Sequence, residues 1–592
     1  MTSAGDIDST LIALGGRGRY QLLQLIFITI GSFGAAYQLL DNIFIGRDVT
    51  FHQCSPPSNN SQIPEDLQDV DWNSSLVKYG KCQITVNQSQ NIQEHDCLFG
   101  QEYGYSRELS FRTEFDLVCD YTLLGSLAQS FVIMGQGVGA VIASIISDRF
   151  GRKNVLVGSQ FGLLLVGMGI GLAPSYAVLG TLKFIVGGFQ QGVVTGMATM
   201  SIELFPVNLR HVTALVGSVM WAMGACSMTL FAYLMRDLGW RYLQYALSAV
   251  SIVGLLQLWY LDESLRWLVA NGRKEAVTKV LKRAARMNNK NLSDVLRTLA
   301  THEDENPKAG SKSSTAHSMS HDSSVDHSHV NPVFTISEKP AEVNPLANGQ
   351  TEKETMEDGM KPNDVIGEVD KNLVDKHRSV LDIFRHKRLL FNACIIWFSW
   401  FTCAFSFFAL YMMSTSLHGN RFLNYFLTSI MEIPPGFIFF VLVNRIGRQG
   451  TTRLFYLLAG TGLISSGIFR IFSGNSALGT MSVVASMVGM AGASGMFGAV
   501  FFYTPEVFPT NMRNQALGVS SFAGRLGGMI APFMSSLAEI AVWAPGVIIG
   551  SLCFLVVFLF RFLPETKGRE LPQTMGDINA WYTEDEKKKS KK

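Results

Sequence analysis

Apolar positions along the 592-residue chain gather into charge-poor runs long enough to cross a hydrocarbon core, for which a helix needs about 20 residues. Twelve runs are predicted as membrane helices: 21–46, 121–147, 155–174, 176–199, 212–235, 243–261, 389–414, 422–444, 454–472, 477–502, 514–538 and 541–561. They divide six and six about a polar stretch, 262–388. The expected class is an all-α membrane protein with twelve transmembrane helices in two six-helix halves, 21–261 and 389–561. Residues 1–20 and 562–592 are its polar termini.

The halves repeat each other. "DRFGRK" (148–153) returns as "NRIGRQ" (444–449), "ELFPVNLR" (203–210) as "EVFPTNMR" (506–513), and "DESLRWL" (262–268) faces "PETKGREL" (564–571). Three ordered pairs at nearly one offset imply a parallel internal repeat, with pseudo-symmetric halves related by an axis along the membrane normal. Carriers built this way hold substrate between the halves near the midplane.

Composition adds to this picture. The chain is 47% hydrophobic and 16% charged with 55 Gly, a balance suited to membrane helices and not to a soluble enzyme. A formal charge of +2 implies no nucleic-acid partner. Lys and Arg crowd the short loops "DRFGRKN", "LRH", "NRIGRQGTTR" and "NMRN", which places those loops and both termini in the cytoplasm. The amino terminus shows no cleavable signal peptide. Loop 47–120 then lies outside. It carries twelve acids against five bases, sequons at Asn59, Asn73 and Asn87, and Cys54, Cys82, Cys97 and Cys119. These features suit an oxidising, glycosylating compartment, and the four cysteines allow three pairings. Cys226, Cys394, Cys403 and Cys553 fall in predicted spans as packing residues.

The mirrored charges at the cytoplasmic helix ends are read as a gate. Asp148, Arg149, Arg152, Lys153, Glu203, Arg210, Glu263 and Arg266 in the first half answer to Arg445, Arg448, Glu506, Arg513 and Glu565 in the second. Partly dehydrated ion pairs between the halves would hold that side shut and release it as the halves rock. Ser144, four residues ahead of Asp148, predicts looser helix packing than a glycine there would give.

These motifs resemble the major facilitator superfamily, and within it the organic cation/anion/zwitterion transporter family, solute carrier family 22. The resemblance rests on "RTEFDLVCDY" (112–121), "SLAQSFVIMGQGVGAVIASIISDRFGRK" (126–153), "GWRYLQ" (239–244), "ESLRWLVANGRKEA" (263–276), "NYFLTSIMEIPP" (424–435) and "LPETKGRELPQTMGD" (563–577). Asp262 and Leu265 depart from the family's prolines, and Lys183 stands where an arginine is common. The resemblance implies the major facilitator fold and a multi-pass plasma-membrane carrier working by alternating access.

Four ionisable residues lie well inside the spans: Asp41, Lys183, Glu432 and Arg525. A charge at mid-bilayer costs at least about 2.5–3.5 kcal/mol, so each is a functional candidate. Within the family the position of Arg525 is commonly aspartate in cation carriers and arginine in carriers of anions or zwitterions. Glu432 matches an acid of the cation and carnitine branches. A guanidinium suits a carboxylate, and an acid with aromatic faces suits an ammonium. The candidate substrate-binding set is Arg525, Glu432 and Asp41 with Tyr37, Trp221, Trp397, Trp400 and Tyr411. It implies zwitterions or carboxylate-bearing organic cations of carnitine-like chemistry. The competing readings are an organic-anion exchanger and a non-transporting receptor on the same fold. A further alternative is that Arg525 and Glu432 merely pair with each other. No cofactor is implied, and Asp41 or Glu432 are the candidates to couple Na⁺ or H⁺. No phosphate loop, metal-ligand spacing or nucleophile–base motif supports an enzyme.

Residues 272–296 show helical spacing of Val277, Val280, Leu281 and Ala284 among basic residues, predicting amphipathic helices at the cytoplasmic surface. The stretch 302–376 is rich in Ser, Asn, Glu, Lys and His, which predicts disorder and contact with cytoplasmic regulators. Its histidines (His302, His317, His321, His327 and His329) lack the accompanying ligands of a metal site. The tail "KKKSKK" favours anionic lipid.

Overall fold

The computed structural model of the protein describes residues 4–47, 51–57, 72, 77–88, 91–206, 209–304, 381–472, 474, 476–509, 512–569, 572 and 581. Residues 305–377 separate as a second unit and lie outside the described residues, as do Asn59 and Asn73.

Eleven helices among the described residues are long and apolar enough to cross a bilayer. In the first half these are α1 (Arg19–Ile45), α2 (Thr122–Phe150), α3 (Arg152–Gly171), α4 (Tyr176–Leu204), α5 (Arg210–Leu234) and α6 (Trp240–Tyr260). In the second they are α7 (Lys387–Ser414), α8 (Arg421–Arg445), α9 (Gly447–Ile471), α10 (Ser476–Val507) and α12 (Ala544–Phe562). The run expected at 514–538 forms α11 in two pieces, Arg513–Ile530 and Phe533–Ile540, joined through Ala531 and Pro532. It falls short in hydropathy because Asn514, Gln515, Ser520, Ser521 and Arg525 interrupt it, yet it completes the second bundle against α7 and α2.

Glycine lets the bundle helices touch backbone to backbone. A Cβ on Gly135 of α2 would lie 1.8 Å from the Phe184 carbonyl oxygen of α4, and in the other half one on Gly462 of α9 would lie 2.4 Å from the Gly489 nitrogen of α10. Ser144 is exposed and its hydroxyl bonds back to Ala140 O at 2.7 Å, so no close helix crossing depends on it.

α1 is not one continuous helix. It runs as Arg19–Thr29, Ser32–Leu40 and Asn42–Ile45, and glutamine amides from neighbouring helices bond carbonyls near the two breaks. Gln257 Nε2 donates to Phe27 O at 2.8 Å, Gln160 Nε2 to Gly31 O at 3.0 Å, and Gln129 Nε2 to Leu39 O at 2.8 Å. Without water, such carbonyls need internal donors, which explains amides in an apolar half.

The loop between α1 and α2 adds two small antiparallel sheets to the helical fold. β1 (His52–Cys54) pairs with β5 (Gln101–Tyr103), and β3 (Gln83–Gln88) lies between β2 (Val77–Tyr79) and β4 (Asn91–Asp96). Disulfides join Cys54 to Cys97 and Cys82 to Cys119, one of the three pairings the sequence allows. Asn87 is exposed on β3. The loop is fastened to α6 through Glu114, which accepts from Arg241 at 2.5 Å and from the Trp240 indole at 2.5 Å.

At the opposite end the polar segments fold into helices. Ala4–Ala13, Leu265–Ala270, Lys274–Met287 and Leu292–Asp304 share an apolar core of Ile7, Leu11, Leu268, Leu281 and Val295. The helix at Ala4–Ala13 was not expected; its Ile7 and Leu11, four apart, form too short a stripe to stand out. The last of these helices includes His302 and runs to Asp304, inside the stretch expected to be disordered, while His317, His321, His327 and His329 lie outside the described residues.

Candidate functional site

Charges gather at the motif end of the bundle and within the spans, and the repeat positions the first group. At the motif end each half builds the same device. The turn before α3 passes through Gly151 at φ 102°, a conformation that strongly disfavours side chains, and a Cβ there would lie 2.3 Å from a Glu263 oxygen. That leaves Glu263 free to accept the backbone N–H groups of Arg152 (3.0 Å) and Lys153 (3.1 Å), the first of α3. The turn before α9 passes through Gly447 at φ 84°, and Glu565 accepts from the N–H groups of Arg448 (2.9 Å) and Gln449 (3.1 Å). A carboxylate here satisfies orphan donors and meets the positive end of the helix dipole.

The arginines complete the pattern. Arg152 pairs with Asp148 at 3.0 Å and with Glu203 at 3.4 Å; Arg448 pairs with Glu506 at 3.3 Å. Thr566 donates to Glu506 at 2.5 Å. The expected ion pairs between the halves are not formed by these residues in this structure: each of these pairs joins helices of one half. The physical reason is reach, since the glutamate that caps each helix comes from the end of the same bundle. Arg266 pairs with Asp8 and ties down the amino-terminal helix. Arg149 is exposed against the Phe150 ring and Arg445 is exposed; Arg210 and Arg513 are half-buried.

Contacts between the halves lie at the loop end and at mid-depth. Phe44 of α1 stacks on Phe422 at 5.8 Å and meets Tyr425 edge-on at 4.8 Å, both on α8. Tyr233 of α5 meets Phe422 at 5.5 Å, and Ser130 of α2 donates to Met529 O of α11 at 2.7 Å. The loop end is thus closed across the halves.

The charges within the spans separate into three environments, with Asp41 and Lys183 toward the loop end and Glu432 and Arg525 nearer mid-depth. Asp41 accepts from Lys183 at 2.6 Å, and neither side chain reaches solvent. The pair sits among Gln38, Gln244 and Ser248 inside the first half, where Gln38 donates to Ser248 at 2.9 Å and Gln244 to Gln38 at 3.1 Å. Asp41 is therefore removed from the substrate-binding set: its depth suited a ligand, but Lys183 already answers its charge.

Glu432 lies at the break in α8 between Arg421–Ile430 and Ile433–Arg445, and it accepts a hydrogen bond from the buried Tyr411 hydroxyl of α7. Tyr411 meets Phe407 at 5.2 Å and Tyr425 at 5.7 Å, so the hydroxyl that bonds the acid belongs to an aromatic cluster. The Tyr37 and Ser227 hydroxyls share a hydrogen bond at 2.8 Å, with either able to donate.

Arg525, on α11, reaches across to the first half. Its guanidinium donates to Gln136 Oε1 of α2 and, at 2.6 Å, to Gln191 Oε1 of α4. Arg525 and Glu432 thus have different partners, and the alternative in which they pair with each other is set aside. Trp400 is buried, donating to Thr504 at 2.9 Å; Trp397 tilts against Phe384 at 6.1 Å nearer the motif end, and Trp221 is half-buried on α5. None of the three tryptophans shares a contact with the two charges among the interactions described. Gln136 and Gln191 were missed by sequence reasoning, because a neutral amide in a span carries no charge signal.

Comparison with known proteins agrees with this architecture. The Major Facilitator Superfamily description matches residues 101–532. The "Organic cation transporter-like protein" of Drosophila melanogaster is 26% identical over 581 residues, covering 96% of this chain and 92% of the relative. "Organic anion transporter 3" of Sus scrofa is 26% identical with the same coverage, and that of Homo sapiens is 24% identical over 96% of this chain and 92% of the relative. Among solved structures, the xylose transporter XylE from E. coli in a partially occluded inward-open conformation superposes with a TM-score of 0.55 at 14% identity, covering 93% of this chain and all of that one.

Proposed function

The chain belongs to the major facilitator superfamily, and from that premise we propose that it carries small zwitterions, or organic cations bearing a carboxylate, across the plasma membrane. Family and relatives make it a membrane transporter of organic ions and not an enzyme. The finer reading is supported by one observation above all: two opposite charges at mid-depth, each held by neutral polar partners and not by each other. Such charges keep their full attraction for a ligand, whereas Asp41 and Lys183 have spent theirs on one another. A ligand carboxylate is met by the planar fork of Arg525 and an ammonium by Glu432 with its aromatic neighbours.

In this reading both termini and the motif end are cytoplasmic, and the closed loop end describes a carrier open toward the cytoplasm. Each motif cluster stiffens its own half, so the halves rock as bodies while contacts such as Phe44–Phe422 and Ser130–Met529 separate. Na⁺ or H⁺ is the candidate coupling ion at Glu432, and cytoplasmic regulators would act through the 302–376 stretch. The names of the organic anion transporter relatives favour a second reading, exchange of plain organic anions at Arg525. Replacing Arg525 with Asp separates the two. A zwitterion carrier should lose carboxylated probes and retain or gain simple ammonium probes; an anion exchanger should lose all flux.

A further inference from the structure

Arg525 holds a positive charge inside a membrane protein with no acid among its partners described above, and the groups that hold it are unusual in their uniformity. Both are glutamines, both come from the opposite half, and both offer oxygen. Their orientation is fixed from behind. Gln136 is 2% exposed, and its Nε2 donates to Gln190 Oε1 at 2.8 Å; Gln190 is 1% exposed. Gln191 Nε2 donates to Thr195 Oγ1 of the next turn at 3.2 Å. With one N–H of each amide engaged behind it, Gln136 and Gln191 turn their acceptor oxygens toward Arg525.

We infer that Gln136 and Gln191 are specificity-determining positioning residues for the anionic end of the substrate: neutral stand-ins that hold the Arg525 guanidinium in the empty site and give way to a carboxylate. The inference rests on the reading of Arg525 as the anion subsite. An acid at either position would satisfy Arg525 permanently and cancel its charge. An apolar residue would leave the guanidinium without a resting partner. A neutral acceptor does neither; it places the fork while leaving its whole charge for the ligand. Because a hydrogen bond between two charged groups is stronger than one to a neutral amide, a ligand carboxylate wins the exchange. The exchange also loosens a link between the halves at mid-depth, so anion binding and rearrangement of the halves share one set of contacts.

The test measures uptake by the full chain in cells, with two labelled probes: a trimethylammonium carboxylate and a tetraalkylammonium ion lacking the carboxylate. The quantity read is the ratio of their KM values, carboxylate over plain cation, after correction for surface expression. Gln136→Glu should raise that ratio about tenfold, the step between a neutral and a charged partner for Arg525, and Gln136→Leu should lower it. Opposite signs at one position are what a merely structural glutamine does not give. Gln191→Glu and Gln191→Leu repeat the test from α4 should a Gln136 variant not reach the surface. If Arg525→Asp removes carboxylate preference while both glutamine substitutions leave the ratio unmoved, or move it in the same direction, the inference is overturned and the reading of Arg525 stands. If Arg525→Asp itself leaves carboxylate preference intact, the reading fails and the inference with it.

Discussion

Lys183 Nζ lies 2.6 Å from Asp41 Oδ1, and both side chains are wholly shielded from solvent. Burying two charges is tolerable because they neutralise each other and because the glutamines around them supply polar contacts. The relationship reads as structural: an internal cross-brace between α1 and α4. Breaking a buried pair by removing one partner typically costs about 3–5 kcal/mol, because the survivor is left uncompensated. Asp41→Asn and Lys183→Met should each lower the melting temperature of purified protein and its surface yield. The double variant should recover much of that loss. A double variant as unstable as the sum of the singles would show that the charges do not act on each other.

The capping glutamates give a ranked expectation at the motif end. Glu263 and Glu565 each satisfy two backbone donors at a helix start, whereas the Asp148 side chain is 76% exposed and pairs with Arg152. Loss of a helix cap costs about 0.5–2 kcal/mol, and an exposed ion pair about 0–1 kcal/mol. Glu263→Gln and Glu565→Gln should therefore depress transport per surface molecule more than Asp148→Asn does. Gly151→Ala should resemble Glu263→Gln, since it both strains the turn and pushes the carboxylate away. Initial uptake rates normalised to surface protein rank the four variants directly.

Glu432 should discriminate cationic head groups. Glu432→Gln keeps the shape of the side chain and removes its charge, so the KM for ammonium-bearing probes should rise about ten- to a hundredfold, or roughly 1.4–2.8 kcal/mol. A probe bearing only a carboxylate should change much less, because Arg525 has separate partners. Equal losses for both probes would place Glu432 in the framework and not in the subsite.

The loop offers an expectation that needs no transport assay. Asn87 is exposed on β3, its sequon continues through Gln88 and Ser89, and the proposed orientation turns this loop to the glycosylating side. Asn87→Gln should increase electrophoretic mobility by one glycan relative to the parent, and the difference should vanish after deglycosylation. Glu114→Ala, which releases Trp240 and Arg241 from the loop, should lower surface yield without altering that mobility step.

Much of this architecture was legible because bilayer thickness and the internal repeat act on long stretches of chain. The spans, the paired motifs and the charged residues within the membrane all stand out against an apolar background. α11 was legible as a run without charges other than Arg525, although glycines and polar residues lower its hydropathy. What could not be read was partnership. Asp41 and Glu432 look alike as isolated acids in apolar runs, and only packing shows that one meets Lys183 and the other Tyr411. The motif charges likewise reveal their sign and depth in the sequence, while the turn at Gly151 decides that Glu263 caps its own half. Glutamines carry the least signal and do some of the most specific bonding, at the breaks of α1 and beside Arg525.

The most direct measurement of a two-ended subsite uses the unmodified protein and three labelled probes of one carbon skeleton. These are a trimethylammonium carboxylate, its methyl ester and the carboxylate lacking the ammonium, each followed for initial uptake in cells. If Arg525 and Glu432 each hold one end, the zwitterion should show a KM about tenfold lower than either single-ended probe, one factor of ten being about 1.4 kcal/mol. Uptake of the ester or of the ammonium-free carboxylate with a KM equal to or below that of the zwitterion would contradict it.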